Sequence, residues 1–235
     1  MTHAHDHSSD TEAAANRRWL AATWPFVRAS LSDPPAEVLE IGCGDLGGFV
    51  SDLRRAGYDA VGVDPEAPPG PPFRQVEFER YDSPRPVDAI IACTSLHHLG
   101  DLHLGVDSIA DALAPGGALV VVEWVHELFD EATARWCFDR LPHDGQTFLH
   151  HHRDAWAESG LPWPEYFRRW VRDEHNLHTW TEIERALARR FTPEGVERRP
   201  YYFPTLGISE ADEVAAVQSG VIQAGAVGYL GRLRT

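Results

Sequence analysis

Three glycines near the start of the chain are spaced as they are in nucleotide-binding turns. Residues 38–50 read VLEIGCGDLGGFV, in which Gly42, Gly44 and Gly47 form the pattern G-x-G-x-x-G. Such a turn presents backbone N–H groups at the start of a helix, where they bind a pyrophosphate. The pattern alone is weak, so it leaves open whether the turn holds a dinucleotide such as NAD or another ligand.

Two carboxylates beside this turn bear on the choice of ligand. Glu40 lies in the predicted strand before the turn and Asp45 in the turn itself, and both would repel a pyrophosphate. Both would instead attract a ligand that carries an ammonium group and a sulfonium group. Asp64 follows the next predicted strand, where a carboxylate accepts hydrogen bonds from ribose hydroxyls. Asp64 therefore predicts an adenosine-like ligand, and the flanking charges favour S-adenosylmethionine over NAD.

Adjacent histidines supply candidate groups for acid–base chemistry. His97 and His98 follow the fourth predicted strand, and imidazole is the natural general base near neutral pH. The alternative for either residue is a structural role, as a helix cap or as packing beneath the loop. His150 to His152 are also adjacent, but neighbouring side chains point in different directions on a helix or a strand, which disfavours a metal site.

The strands and helices that must position these residues alternate along the chain. Strands are predicted at EVLEIG, YDAVGVDP, FRQVEF, VDAIIAC and ALVVVEWV, and helices over 49–56 and 103–113. GVERRPYYFP and AGAVGYLGRLR predict two further strands that form an antiparallel pair at the sheet edge. The alternation indicates an α/β fold with a mostly parallel, seven-stranded sheet and helices on both faces. Ligands of such sheets bind at the carboxyl ends of the strands, where the residues above fall.

The segments outside this alternation have distinct compositions. Residues 1–10 are polar and predict a flexible tail, and residues 11–235 predict a single domain. Within it, 11–31 predicts an N-terminal helical cap that Pro25 kinks or splits. Residues 127–190 follow the fifth strand and are rich in Trp, His and Arg, which predicts a largely helical insertion that serves as a lid. Some of its aromatic rings would give a substrate pocket an apolar wall.

Composition and charge exclude several kinds of partner. The chain carries 36 acidic against 21 basic residues, a net charge of −15, and this excess of acid disfavours binding to nucleic acid. The longest apolar run is too short to cross a bilayer, so no membrane association is expected. The three cysteines are widely separated and form no C-x-x-C motif, which indicates a reducing, cytoplasmic compartment. The oligomeric state is left open.

Four motifs in order resemble those of the class I S-adenosylmethionine-dependent methyltransferases. They are VLEIGCG, VGVDP, VDAIIACTSLHHL and LAPGGALVVVEW, and they run from Val38 to Trp124. The glycine loop GCGDLGGF is one residue longer than is usual in that family. The resemblance implies a Rossmann-like fold, S-adenosylmethionine as the cofactor and methyl transfer as the reaction. We expect the acceptor to be an oxygen or nitrogen atom of a small, partly apolar molecule.

The resemblance also implies which residues hold the cofactor. Glu40 would orient the glycine loop and help to bind the amino group, and Asp64 would take the ribose hydroxyls. Phe78 or Glu79 would border the adenine. The full set implied for cofactor binding is Glu40, Gly42, Cys43, Gly44, Asp64, Phe78, Glu79, Cys93 and Thr94. His97 and His98 are the candidate catalytic residues, and no metal is implied.

Other functions stay open on the sequence alone. The chain would bind S-adenosylmethionine for a different reaction, or sense it, if the motifs report binding without turnover. An NAD-dependent oxidoreductase would have to accommodate Glu40 and Asp45 beside a pyrophosphate. A protein or nucleic-acid acceptor is disfavoured by the charge and by the aromatic insertion, although an acidic protein would suit a basic peptide.

Overall fold

The chain folds into two compact units, one built on a sheet and one built of helices. The computed structural model describes residues 4–143 and 145–234, with side-chain surroundings for all of these except 4–10 and 173–175. The sheet unit comprises Thr23–Trp124, His178–Glu197 and Val227–Thr235, and the helical unit comprises Met1–Ala22, Val125–Leu177 and Arg198–Ala226. The assignment of 11–235 to a single domain stays a prediction.

A seven-stranded sheet forms the centre of the sheet unit. Its strands are β1 (Glu37–Ile41), β2 (Asp59–Val63), β3 (Phe73–Arg74), β4 (Val87–Cys93), β5 (Leu113–Trp124), β6 (Phe191–Arg199) and β7 (Ala226–Leu233), in the order β3-β2-β1-β4-β5-β7-β6. β1 pairs in parallel with β2 and β4, β2 with β3, and β4 with β5. β6 and β7 complete an antiparallel edge pair. The predicted fold class is confirmed.

The register of the parallel strands brings their carboxyl ends to one edge. Ile41, the last residue of β1, pairs with Val63 at the end of β2 and with Ala92 near the end of β4. Cys93 at the end of β4 pairs with Val122 of β5. The segments that follow β1, β2, β4 and β5 therefore start beside one another, as required for a shared binding site.

Nine α-helices occur among the described residues. They are α1 (Ala4–Ser30), α2 (Val50–Arg55), α3 (Leu102–Ala112), α4 (Glu131–Phe138), α5 (Phe148–Ser159), α6 (Trp163–Arg169), α7 (Trp180–Leu187), α8 (Phe203–Leu206) and α9 (Glu210–Gln218), with 3-10 turns at Phe78–Arg80, Leu96–His98 and His126–Leu128 and a π-helical turn at Trp170–His175. The predicted helices over 49–56 and 103–113 correspond to α2 and α3. None of these helices is long and apolar enough to span a bilayer.

Three elements differ from the sequence predictions. The predicted strand FRQVEF pairs only at β3, because the backbone turns after Arg74, whose carbonyl accepts from Val76 N at 3.1 Å. GVERRPYYFP is strand only as far as Arg199, since Pro200 has no N–H to donate to a neighbouring strand. α1 runs through Pro25 without being split, and it begins at Ala4, inside the segment predicted as a tail. Met1–His3 of that predicted tail lie outside the described residues.

The insertion after β5 is largely helical, as predicted, and most of it belongs to the helical unit. α7 is the exception, because it lies in the sheet unit and packs on α3. Arg190, just after α7, donates to Asp107 at 2.7 Å and to Asp111 at 2.8 Å on α3. These ion pairs fix the end of the insertion to the sheet unit.

Phe129 is the centre of the aromatic core of the helical unit. Its ring lies 5.2 Å from both Trp163 and Tyr202 and 5.5 Å from Phe167, measured between ring centroids. It is 1% exposed, so removing the ring would leave a cavity that rigid neighbouring rings fill poorly.

We expect Phe129→Ala to lower the free energy of unfolding by about 3–5 kcal/mol, the usual cost of emptying a buried aromatic site. Urea denaturation followed by tryptophan fluorescence measures this loss. Leu104→Ala serves as the control, because Leu104 is 64% exposed and its truncation should change stability by less than about 0.5 kcal/mol. Equal losses in the two variants would contradict the central role of Phe129.

Candidate functional site

The turn between β1 and α2 depends on glycines at two places. Gly42 has φ +73°, and a Cβ there would lie 2.5 Å from the Cβ of Ser95. Gly48 has φ +52°, and a Cβ there would collide with the carboxylate of Glu40. Side chains at either position would therefore strain the backbone and displace a neighbour. The turn is thus packed closely against the segment after β4 on one side and against Glu40 on the other.

Glu40 lies beneath the glycine turn and is 2% exposed. Its Oε2 accepts a hydrogen bond from Phe49 N at 2.8 Å, which ties β1 to the start of α2. Burial, with smaller contributions from the nearby carboxylates of Asp52 and Asp64, raises the pKa of Glu40 to about 8. This position suits the predicted orienting role, because the side chain holds the turn from inside.

Asp64 joins the end of β2 to the glycine turn. Its Oδ2 accepts from Gly44 N at 3.0 Å, and its Oδ1 accepts from Glu66 N at 2.7 Å. Each carboxylate oxygen has a further lone pair, so the group can still accept from a ligand hydroxyl.

A cavity of about 220 Å³ opens at this edge of the sheet. It is lined by the segments that follow β1, β2 and β4 and by the 3-10 turn at Phe78–Arg80. Its lining residues are Ile41, Gly42, Val63, Asp64, Pro65, Glu77, Phe78, Glu79, Thr94, Ser95, His98 and Leu99. The charged side chains in this set are acidic (Asp64, Glu77 and Glu79), which favours a cationic ligand over a pyrophosphate.

The cavity brings together part of the predicted site. Six of the predicted residues line it, namely Gly42, Asp64, Phe78, Glu79, Thr94 and His98. Glu40, Cys43, Gly44, Cys93 and His97 were also predicted but are not among the residues that line this cavity. Six lining residues were not predicted as site residues, and two of them, Ser95 and Glu77, are polar or charged. Their positions next to predicted site residues were the available signal.

Two of the predicted residues that do not line the cavity are buried cysteines. Burial raises the pKa of the Cys43 thiol to about 12, so the thiol stays neutral. Cys93 is the last residue of β4, and its carbonyl accepts from the hydroxyl of Thr94 at 2.9 Å. Any contact that these residues make with a ligand would come from their backbone.

Glu123, near the end of β5, forms hydrogen bonds with the segment after β4. Glu123 Oε1 accepts from Ser95 N at 3.0 Å and from Leu96 N at 2.7 Å, and Glu123 Oε2 lies 2.5 Å from His97 Nδ1. His97 is 4% exposed, whereas His98 is exposed and lines the cavity. The centroids of the two imidazole rings are 4.1 Å apart. The adjacent histidines therefore occupy different environments.

Two of the three adjacent histidines of α5 have separate side-chain partners. His150 Nδ1 lies 2.9 Å from Thr147 Oγ1 and its Nε2 lies 2.9 Å from the carbonyl of Pro142. His152 Nδ1 lies 3.0 Å from the hydroxyl of Tyr166. In the part of the chain that the structure describes, no group of three or more His, Cys, Asp or Glu side chains is arranged to hold a metal ion.

Comparison with known proteins decides the family. The model of a methyltransferase domain family matches residues 11–195. The chain belongs to this family. The match covers most of the chain and includes β1 to β5, the glycine turn and the segment after β4. The resemblance to class I methyltransferases predicted from the sequence is confirmed, and the family favours methyl transfer over the oxidoreductase alternative.

Several solved structures share the fold of this methyltransferase. An S-adenosylmethionine-dependent methyltransferase from Mesorhizobium loti is 18% identical, with a TM-score of 0.57 over 90% of this chain and 97% of that chain. The N-methyltransferase NodS from Bradyrhizobium japonicum WM9, solved with S-adenosyl-L-homocysteine, is 16% identical, with a TM-score of 0.53 over 93% and 87%. A geranyl diphosphate C-methyltransferase from Streptomyces coelicolor A3(2) is 18% identical, with a TM-score of 0.55 over 92% and 80%. No curated protein sequence matches the methyltransferase.

The buried carboxyl of Glu40 should make stability depend on pH. In the unfolded chain this group ionises near its ordinary pKa of 4.5, whereas in the folded protein it keeps its proton until about pH 8. Its favourable contribution is therefore fully present below pH 4.5 and is lost as the pH rises through 8. Glu40→Gln keeps an oxygen for Phe49 N but cannot ionise, so it should raise Tm at pH 8.5 more than at pH 5, by roughly 2–4 °C for each kcal/mol gained.

Thermal melts of both proteins at the two pH values test this expectation. Glu66→Gln is the control, because the Glu66 side chain is exposed and its substitution should shift Tm equally at both. A Glu40→Gln effect that is the same at both pH values would contradict the raised pKa.

Proposed function

We propose that this methyltransferase transfers the methyl group of S-adenosylmethionine to an oxygen or nitrogen atom of a small, partly apolar acceptor. The acidic lining of the cavity at the carboxyl ends of β1, β2 and β4 carries the proposal. A cationic cofactor gains from these carboxylates, whereas a pyrophosphate would be repelled by them. The family match supports the reaction type.

The residues present fit S-adenosylmethionine. Asp64 retains acceptor capacity for ribose hydroxyls, and Phe78 offers an apolar surface beside Glu77 and Glu79 for an adenine ring. Gly42 has no side chain and lines the cavity, so backbone atoms can approach the methionine portion closely. Glu40 supports the turn from beneath through its bond with Phe49 N. A nearby ammonium group of the cofactor would favour the ionised form of Glu40 and lower its pKa from about 8.

Methyl transfer requires the protein to hold the cofactor and the acceptor in position and to accept one proton. When bound, the cofactor supplies a methyl group on a sulfonium sulfur, which keeps the electron pair of the broken S–C bond as the acceptor atom forms its bond to carbon. His98 is exposed and lines the cavity, so its imidazole takes the proton that an O–H or N–H acceptor loses. His97 is directed to Glu123, so it supports this site from below.

An apolar acceptor is supported by the helical unit. Several aromatic side chains of this unit are half-buried, namely Trp19, Phe148, Trp156, Trp170 and Tyr201. Such rings provide apolar surface for a small ligand. The structural neighbours include an N-methyltransferase and a C-methyltransferase of geranyl diphosphate, so this fold accommodates acceptors of different chemistry.

The cellular setting is part of the same proposal. Cys43, Cys93 and Cys137 are buried, and such isolated cysteines suit a reducing cytoplasm. The net charge of −15 supports a small-molecule acceptor in preference to nucleic acid.

The cofactor assignment predicts the effect of removing Asp64. Asp64→Ala should weaken S-adenosylmethionine binding by about 1–3 kcal/mol, because hydrogen bonds to a charged group are lost. Calorimetric titration with S-adenosylmethionine, S-adenosylhomocysteine and NAD measures this, with Glu66→Ala as an exposed neighbouring control. Binding of NAD in place of the other two ligands would instead support an oxidoreductase, and unchanged affinity in Asp64→Ala would remove Asp64 from the site.

Replacing His98 should lower the rate of turnover without weakening cofactor binding. His98→Gln should lower turnover by about 10²–10⁴-fold, the usual contribution of a general base, while leaving S-adenosylhomocysteine affinity nearly unchanged. The assay is S-adenosylhomocysteine formation with acceptors drawn from a panel of small phenols, alcohols and amines. Full turnover in His98→Gln would show that no base is needed at this place. Cofactor binding without product for any acceptor would favour the sensing alternative.

A further inference from the structure

The segment after β4 adopts a backbone conformation that its sequence does not favour. Thr94 has φ +49°, a region that β-branched residues rarely enter because the side chain crowds the backbone. Its N–H donates to the carbonyl of Val122 at 2.7 Å. A strained residue persists only where the surrounding structure holds it, so neighbouring groups must hold Thr94 in this conformation.

Glu123 supplies the two hydrogen bonds that follow the strained residue directly. Its Oε1 accepts from the backbone N–H groups of Ser95 and Leu96. Glu123 is fully buried, so water does not replace these bonds when they are lost. The carboxylate therefore fixes the turn immediately after Thr94.

His97 contacts the other oxygen of the Glu123 carboxylate. Glu123 Oε2 and His97 Nδ1 lie 2.5 Å apart and share a hydrogen bond. The backbone carbonyl of His97 also accepts from His178 N at 3.0 Å. Glu123 is thus held in one orientation by His97 and holds the turn in one orientation in return.

This turn is one wall of the cofactor cavity. Thr94, Ser95 and His98 line the cavity, and Ser95 lies so close to Gly42 that no side chain fits between them. A turn that relaxed at Thr94 would move Ser95 and His98 together and would change the shape of this wall.

We propose that Glu123, braced by His97, is a positioning residue that keeps the turn after β4 in the shape that binds the cofactor and presents His98. The inference rests on the proposed function, since the cavity must be the cofactor site. Neither Glu123 nor His97 needs to contact the cofactor, because both act through the strained backbone at Thr94.

Glu123→Gln is the direct test, read by calorimetric titration with S-adenosylhomocysteine. Glutamine keeps the side-chain length but has one carbonyl oxygen. When this oxygen accepts from the two backbone N–H groups, the NH₂ group faces His97 Nδ1, which must then carry no hydrogen. We expect affinity to fall by about tenfold, because either a buried N–H group loses its acceptor or His97 must change its tautomer.

Glu213→Gln is the matched control. Glu213 is also buried and also accepts from two backbone N–H groups, those of Tyr201 and Phe203 at 2.7 and 2.6 Å. It belongs to the helical unit and does not line the cavity. Its loss should lower Tm while leaving S-adenosylhomocysteine affinity within about twofold of wild type.

Thr94→Gly separates positioning from simple stabilisation. Glycine adopts a positive φ freely, so the turn in this variant should keep its shape with less help from Glu123. The affinity loss caused by Glu123→Gln should therefore be smaller in the Thr94→Gly background than in the wild-type background. A purely structural role for Glu123 predicts equal losses in the two backgrounds.

His97 provides a second pair of variants that remains informative if Glu123→Gln does not fold. His97→Gln can donate an N–H to Glu123 Oε2 and should bind S-adenosylhomocysteine nearly as the wild type does. His97→Leu cannot donate and should bind several-fold more weakly. Equal affinities in these two variants, or wild-type affinity in folded Glu123→Gln, would overturn the inference while leaving the proposed function intact. A wild-type protein that binds no S-adenosylhomocysteine would overturn both.

Discussion

Hydrogen bonds from backbone N–H groups to buried acidic side chains are the interaction on which the binding edge depends. Where parallel strands end, the amides that follow lose their sheet partners and need new acceptors. Glu40 provides one for the start of α2, and Glu123 provides one for the turn after β4. The cavity lies between these two turns, so its shape follows from two acids that it does not itself expose.

The sequence predicted the fold well because its signals were local and repeated. Long apolar runs marked β4 and β5, and the helices between strands were found within a residue or two. It failed where one proline or a short reversal decided the outcome, as after Arg74 and at Pro200. It also placed the candidate site at the strand ends where the cavity lies, because parallel topology leaves little choice there.

The sequence could not tell which of the adjacent histidines faces the cavity. The positive φ of Thr94 and the carboxylate of Glu123 set the directions of the two histidine side chains. Glu123 lies far from both histidines along the chain. A threonine gives no sign of such a conformation, since glycine or asparagine is the usual residue there. Ser95 was missed for a related reason, because its importance comes from contact with Gly42 rather than from its own chemistry.

The contact between Gly48 and Glu40 has a consequence for how this turn can change in evolution. The Gly48 Cα lies against the carboxylate that supports the turn, and a methyl group there would occupy the space of the carboxylate oxygens. The two positions are therefore sterically coupled and should covary. Homologues with a side chain at position 48 are expected to carry a shorter residue at position 40, or a loop of different length that moves one away from the other.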